Sequence, residues 1–256
     1  MLVRFFVIAF ALCWLITIPI ALHVQGLIET ALLPPRAQWL IGVVPIIAAA
    51  WVTRGSADRS TWLEDALRTS VSPMWYVIAA LLPWAMLGGA LGVRMLLGKE
   101  LPHLGADPAT LAIFGVLWLV LAFGEEAGWR AYALPRMLSV RGFLGAATLL
   151  GVLWCVWHYP KLYASPYLHL DALSLKGVAQ FSLQIVIANY VLCWLFVRTR
   201  SAIVTSVFHG SFNLVATVHA LAAIDPTLTF VMALIALSIF LVDRDSLSSA
   251  RETARR

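Results

Sequence analysis

Eight stretches of the sequence are nearly free of charge and about as long as a helix that crosses a lipid bilayer. A hydrocarbon core of about 30 Å takes roughly 20 apolar residues in helical form. The candidate spans are Phe5–Leu22, Trp39–Val52, Trp75–Leu97, Leu111–Ala133, Phe143–Tyr163, Val178–Val197, Ala202–Ala222 and Leu228–Val242. Inside lipid every backbone N–H and C=O needs an internal partner, which runs of this length find as helices. The expected fold is all-α: a polytopic transmembrane helix bundle of about eight spans. It forms a single integral membrane domain over 1–256, with 243–256 as a cytoplasmic tail.

Composition excludes the main alternatives. Of the 256 residues, 61% are hydrophobic and 12% charged, with 11 Trp and 12 Phe. A soluble domain is about 45–50% apolar and about 25% charged, so a soluble enzyme, a disordered tail and a collagenous fibre are ruled out. The net charge of +5 does not point to nucleic acid, because the basic residues sit between apolar runs and not in a patch with interleaved aromatics. The expected partners are the lipid bilayer and a peptide or membrane-protein substrate; the oligomeric state is open. Cys13, Cys155 and Cys193 all lie in apolar segments. Their odd number and the lack of a C-x-x-C spacing argue against a disulfide framework or a cysteine-only metal site, so they are expected to be small buried hydrophobes.

The first span follows Arg4, but it is longer than a signal-peptide core and no small-residue cleavage site closes it, so an uncleaved helix is expected. Basic residues set the orientation. Alternating the flanks gathers Arg4, Arg54, Arg59, Arg68, Arg130, Arg136, Arg141, Arg198, Arg200, Arg244, Arg251, Arg255 and Arg256 on one side, and leaves Arg36, Arg94, Lys99, Lys161 and Lys176 on the other. Both termini are therefore expected in the cytoplasm. Between Ser60 and Ser70 the spacing puts Trp62, Leu63, Ala66 and Leu67 on one helical face, with Arg59, Glu64, Asp65 and Arg68 around the other. A short helix lying on the cytoplasmic surface fits this pattern.

Ionisable residues deep in a span are costly, at least about 2.5–3.5 kcal/mol per charge near the centre. Three spans carry them. The fourth contains Gly124-Glu125-Glu126-Ala127-Gly128-Trp129-Arg130. Glu126 and Arg130 are i and i+4 and can pair; Glu125 is turned about 100° away and is left for a water or a metal. The fifth ends Trp154-Cys155-Val156-Trp157-His158-Tyr159-Pro160, and the seventh carries His209-Gly210-Ser211-Phe212-Asn213. His209 and Asn213 face the same way, and imidazole is a common metal ligand. Ser211 lies off that face and has no evident base. Measured from the basic residues at about 1.5 Å per residue, Glu125, His158 and His209 lie at depths of about 16–24, 25 and 13–17 Å, compatible with one pocket.

Glu125-Glu126-x-x-x-Arg130, Trp154 with His158, and His209-x-x-x-Asn213 resemble, in order and spacing, the three motifs of the CAAX prenyl protease and bacteriocin-processing (Abi) family of intramembrane proteases. The strings Glu-Glu-Ala-Gly-Trp-Arg and Trp-His-Tyr-Pro resemble a bacterial branch. The similarity covers about Leu111 to Ala222, a catalytic core of 111–222, and implies the type II CAAX protease fold. The family usually has Phe at the position of Trp154 and often Gly at that of Ala131. The first three spans carry no matching motif.

The resemblance implies a peptide hydrolase of metallo- or glutamate type, with a catalytic set of Glu125, Glu126, His158, His209 and Asn213 supported by Arg130 and Trp154. Glu125 is implied as the general base on water. Zinc is the cofactor implied if a metal is used, on Glu125, His158 and His209, a ligand set zinc accepts. Otherwise the histidines orient the water directly. Asn213 is implied as the oxyanion donor, and Glu126 with Arg130 as the pair that sets the geometry around Glu125. Two other classes fit the residues without the resemblance: a non-proteolytic scaffold or immunity protein, and a small transporter.

Overall fold

The computed structural model describes residues 1–164, 174–219 and 222–253, in which every regular element is helical. Arg255 and Arg256, counted above in orienting the chain, lie outside the described residues. The helices are α1 (Leu2–Val24), α2 (Val44–Val52, entered through a 3-10 turn at Pro35–Val43), α3 (Asp58–Leu67), α4 (Pro73–Leu96), α5 (Pro108–Gly128), α6 (Leu134–Ala164), α7 (Leu175–Thr199), α8 (Ala202–Val218), α9 (Pro226–Val242) and α10 (Arg244–Thr253). A π-helical turn, Trp129–Ala133, joins α5 to α6.

Helix starts follow local chemistry. Asp107 and Asp225 accept from backbone N–H groups of the first turns of α5 and α9, each just ahead of a proline at the first helical position, where the missing N–H costs nothing. Ser174 and Ser201 cap α7 and α8 in the same manner.

Five helical runs are long and apolar enough to cross a membrane, and a sixth qualifies if α9 and α10, bent by 80° at their junction, count together. This is a multi-pass membrane protein. The expected eight spans all fall on helices, but the count by length differs for two reasons. The run Pro108–Ala164 is continuous over 57 residues, and α8, at 17 residues, is short. Gly142, at φ +68° and ψ 178°, breaks that long run with a backbone conformation natural only to glycine. Dividing the run there gives six long apolar helices, or seven with the bent pair, and the remaining expected span falls on the shorter α8.

α5 packs against α8 and α2, α1 against α6, α6 against α7, and α4 against α8 and α9. The buried apolar residues form one cluster that reaches from Phe5 to Ala250. The segment after Asp243 is not a loose tail: it contains α10, which docks on α6 and buries Leu247 and Ala250. The three cysteines are buried and unbridged.

α3 forms where a surface helix is expected, but its faces differ from the expectation. Trp62, Asp65 and Ala66 are buried while Leu67 is 58% exposed. Asp65 turns inward because Arg200 and Arg68 both reach it. Burial pushes its carboxyl above the ordinary range in spite of these two cations.

Two glycines set how closely α2 approaches the glutamates. A Cβ on Gly124 would lie 2.3 Å from the Gly42 carbonyl oxygen, and one on Gly128 2.4 Å from Pro45 Cβ. The glycines stand one turn apart, so α5 meets α2 backbone to backbone along that edge.

Candidate active site

Glu125, Trp154, His158, His209 and Asn213 line one cavity of about 340 Å³. α5 supplies the first, α6 the next two and α8 the last two. Residues of all three motifs thus line the same cavity. Glu126 and Arg130 do not line it; both side chains are fully buried behind its wall.

Glu126 is the hub of that hidden layer. Its Oε1 accepts from Arg130 Nη1 at 2.8 Å and from His209 Nδ1 at 2.9 Å. Arg130 Nη2 donates to Asn189 Oδ1 on α7, whose Nδ2 donates to the Ala147 carbonyl on α6. The guanidinium also lies 4.3 Å from the centre of the Trp154 ring, a contact strengthened by desolvation. Glu126 Oε2 and Arg130 Nε have no partner among the described residues, which makes this a polar site that a buried water could complete.

At the cavity wall, Trp154 Nε1 donates to Glu125 Oε2 at 2.8 Å. Glu125 thus has a partner that its sequence position does not reveal. His158 Nδ1 donates to the Trp154 carbonyl at 2.8 Å, and with His209 Nδ1 donating to Glu126 both neutral rings carry their lone pair on Nε2. This tautomer assignment follows from the hydrogen-bond network. Ser211 Oγ donates to the Ala80 carbonyl and takes no part.

The indole of Trp154 has both histidine rings edge-on to it, at centroid distances of 5.4 Å from His158 and 5.3 Å from His209. Among the described residues no three His, Cys, Asp or Glu side chains are gathered so as to hold one metal ion. Glu125, His158 and His209 as placed do not form the three-donor set that zinc takes.

Several residues at the site carry no motif. Trp62 on α3 donates to the Ala127 carbonyl at 2.8 Å, just ahead of the π turn, where backbone hydrogen bonding departs from the α pattern. Ser201, one residue before α8, donates to the Arg68 carbonyl. The short helix α3 and the residue that follows it thus hold the end of α5 and the start of α8. Asn189, Gln184, Gln38 and Lys161 are the others; the last three line the cavity. Asn189 and Gln184 are polar residues in an apolar span, a signal open to sequence reading.

Residues 107–215 match the family model "Type II CAAX prenyl endopeptidase Rce1-like". This segment belongs to that CAAX protease family. The match takes in Glu125, Glu126, Arg130, Trp154, His158, His209 and Asn213, while Gln38, Trp39, Ile41, Gly42 and Ala216 line the cavity from outside it. The chain is also similar to CAAX prenyl protease 2 of Methanococcus maripaludis, with 28% identity over 132 residues. That alignment covers 50% of this chain and 49% of the relative, so the chain matches about half the length of the curated protein.

Proposed function

We propose that this protein is an intramembrane endopeptidase that hydrolyses a peptide bond of a membrane-associated substrate with water activated at Glu125. The observation that carries this reading is the convergence of Glu125, His158, His209 and Asn213, from three helices, on one cavity.

Glu125 takes a proton from the attacking water, with Trp154 holding its other oxygen and so fixing the carboxylate plane. Beside the O–H that Glu125 takes, the water donates its second O–H to Nε2 of His158 or of His209, each ring being held in orientation through Nδ1. Water oxygen adds to the peptide carbonyl, and Asn213 donates to the developing oxyanion, a role typically worth about 10²–10³-fold in rate. The proton on Glu125 then passes to the leaving amine as the C–N bond breaks.

The test is cleavage of a farnesylated CAAX-type peptide and of an unmodified peptide library by purified protein in detergent. Glu125→Gln should abolish cleavage and leave elution as a monodisperse species unchanged. Treatment with a chelator should leave activity intact. Full activity in Glu125→Gln would remove the glutamate from the mechanism, and no cleavage of any peptide by wild type would favour a scaffold. Loss with chelator and recovery with zinc would show that the donors close on a metal.

A further inference from the structure

Two hollows follow one edge of the bundle, where α10 packs on α6 and α7. The first, of about 220 Å³, is lined by Arg198, Arg200, Ser246 and Ser249 together with Leu138 and Phe196. The second, of about 210 Å³, is almost wholly apolar and is lined by Phe143, Tyr190, Leu237, Phe240 and Leu247. α6, α7 and α10 contribute to both, and α9 to the second. Neither shares a residue with the cavity at Glu125.

Their heights in a membrane follow from α7. Val191 lines the apolar hollow and Arg198 the polar one, about 10 Å apart along the helix axis. The polar layer of a bilayer is about 5–7 Å deep on each face. A phosphate held at Arg198 therefore leaves its hydrocarbon at the level of the apolar hollow. Trp75 and Trp194, whose rings meet edge-on at 5.4 Å, stand beside Arg198, as tryptophans do where headgroups meet hydrocarbon. α10 is bent by 80° from α9 and turns Leu247 inward while Ser249 stays exposed.

The two arginines are fixed but not consumed. Arg198 Nη1 donates to Asp243 and to Ser246 Oγ, and Arg200 donates to Asp65 through Nε and Nη2. A guanidinium has more N–H groups than these bonds take, and Asp65 and Asp243 hold the arginines from outside the hollow. Paired guanidiniums recognise phosphate through several N–H bonds at once.

We propose that an anionic glycerophospholipid occupies the two hollows. Its phosphate meets Arg198, Arg200 and the Ser246 hydroxyl that Arg198 orients, and one acyl chain lies between α6, α7 and α9. The bound lipid ties α10 to the bundle, and this site is independent of the peptidase reading.

Thermal melts of the purified protein in uncharged detergent test it, with phosphatidylglycerol or phosphatidylcholine of the same acyl chains added. Half-maximal stabilisation should need about tenfold less of the anionic lipid. Arg198→Gln should erase that preference, and it breaks only a partly exposed ion pair, so the fold survives. Ser249→Trp, at an exposed position, fills the polar hollow and should erase it too. Leu237→Trp fills the apolar hollow and should weaken the response to both lipids. Arg54→Gln, which removes an exposed charge at the end of α2, should leave the preference intact. No preference in wild type, a preference that survives Arg198→Gln or Ser249→Trp, or equal loss in Arg54→Gln overturns the site. Equal stabilisation by inorganic phosphate, or an unchanged response in Leu237→Trp, overturns the lipid as its occupant.

Discussion

His209 and Glu126 are joined by a 2.9 Å hydrogen bond between Nδ1 and Oε1, and the same oxygen accepts from Arg130. A single carboxylate oxygen therefore ties α5 and α8 together, and through Arg130 and Asn189 it reaches α7. Glu126 acts on the cavity by holding His209, and Glu125 is the glutamate that faces it.

The two glutamates should separate in a stability assay. Arg130→Ala strands a fully buried carboxylate, a loss that typically costs about 3–5 kcal/mol. Glu126→Ala strands Arg130 and releases His209. Both variants should melt earlier in detergent and be inactive. Glu125→Gln should be inactive with an unchanged or higher melting temperature, since an amide tolerates the cavity better than a carboxylate. A stable Glu126→Ala beside an unfolded Glu125→Gln would reverse the assignment.

Trp154 has two jobs that substitution can pull apart. Trp154→Phe loses the N–H that holds Glu125 and keeps an aromatic wall between the histidines. Phe is the usual residue of the resembled motif, so peptide cleavage should fall by no more than about tenfold, or about 1.4 kcal/mol of activation free energy. Trp154→Ala removes the wall and the surface beneath Arg130, and should fall by at least about a hundredfold, with a lower melting temperature. Equal activity in the two variants would show that the ring is dispensable.

Acid should loosen the α8–α9 connection. Asp225 caps α9, accepts from His219 at 3.0 Å and lies 3.7 Å from Arg94. Burial alone would raise its carboxyl; the His219 bond, the Thr227 and Leu228 N–H groups and Arg94 outweigh burial and hold it below the ordinary range. A depressed carboxylate stabilises the fold fully above its unfolded value of about 3.9, and that contribution is lost as pH falls through the lower folded value. Thermal melts should therefore show a drop in stability below about pH 4, and Asp225→Asn should flatten it. An identical acid limb in the variant would exclude Asp225 as its source.

Orientation follows from the uneven distribution of basic residues. Reporter fusions after Arg68, Arg141 and Arg200 should report the cytoplasm, and a fusion at Lys99 the opposite side. In that arrangement Lys161 lies toward the outer end of the cavity. A cytoplasmic signal at Lys99 would overturn the eight-crossing reading.

Much of the site is legible in sequence because its side chains are spaced by one helical turn. Glu126–Arg130 and His209–Asn213 are i,i+4 pairs, and their placement follows from helical periodicity. The link from Trp154 to Glu125 joins residues 29 apart in sequence, and that from Trp62 to Ala127 residues 65 apart. Such bonds depend on how helices pack, which periodicity does not encode. Lys161 falls within the expected span Phe143–Tyr163 yet is counted in sequence only as a flanking charge, and α6 continues through it to Ala164. The inward turn of Asp65 was hidden for a related reason: its partner Arg200 is contributed by the far end of α7.

Gly124 and Gly128 alter what a loss-of-function screen of this protein would reveal. Each lies within two residues of a glutamate, and each leaves no room for a methyl group beside α2. Alanine at either position should be as damaging as alanine at Glu125, yet the defect would arise during assembly of the bundle in the bilayer. A map of intolerant positions would therefore mark Gly124-Glu125-Glu126-Ala127-Gly128 as one hotspot. Scoring protein abundance beside activity at every position would divide that hotspot into residues that build the contact and residues that react.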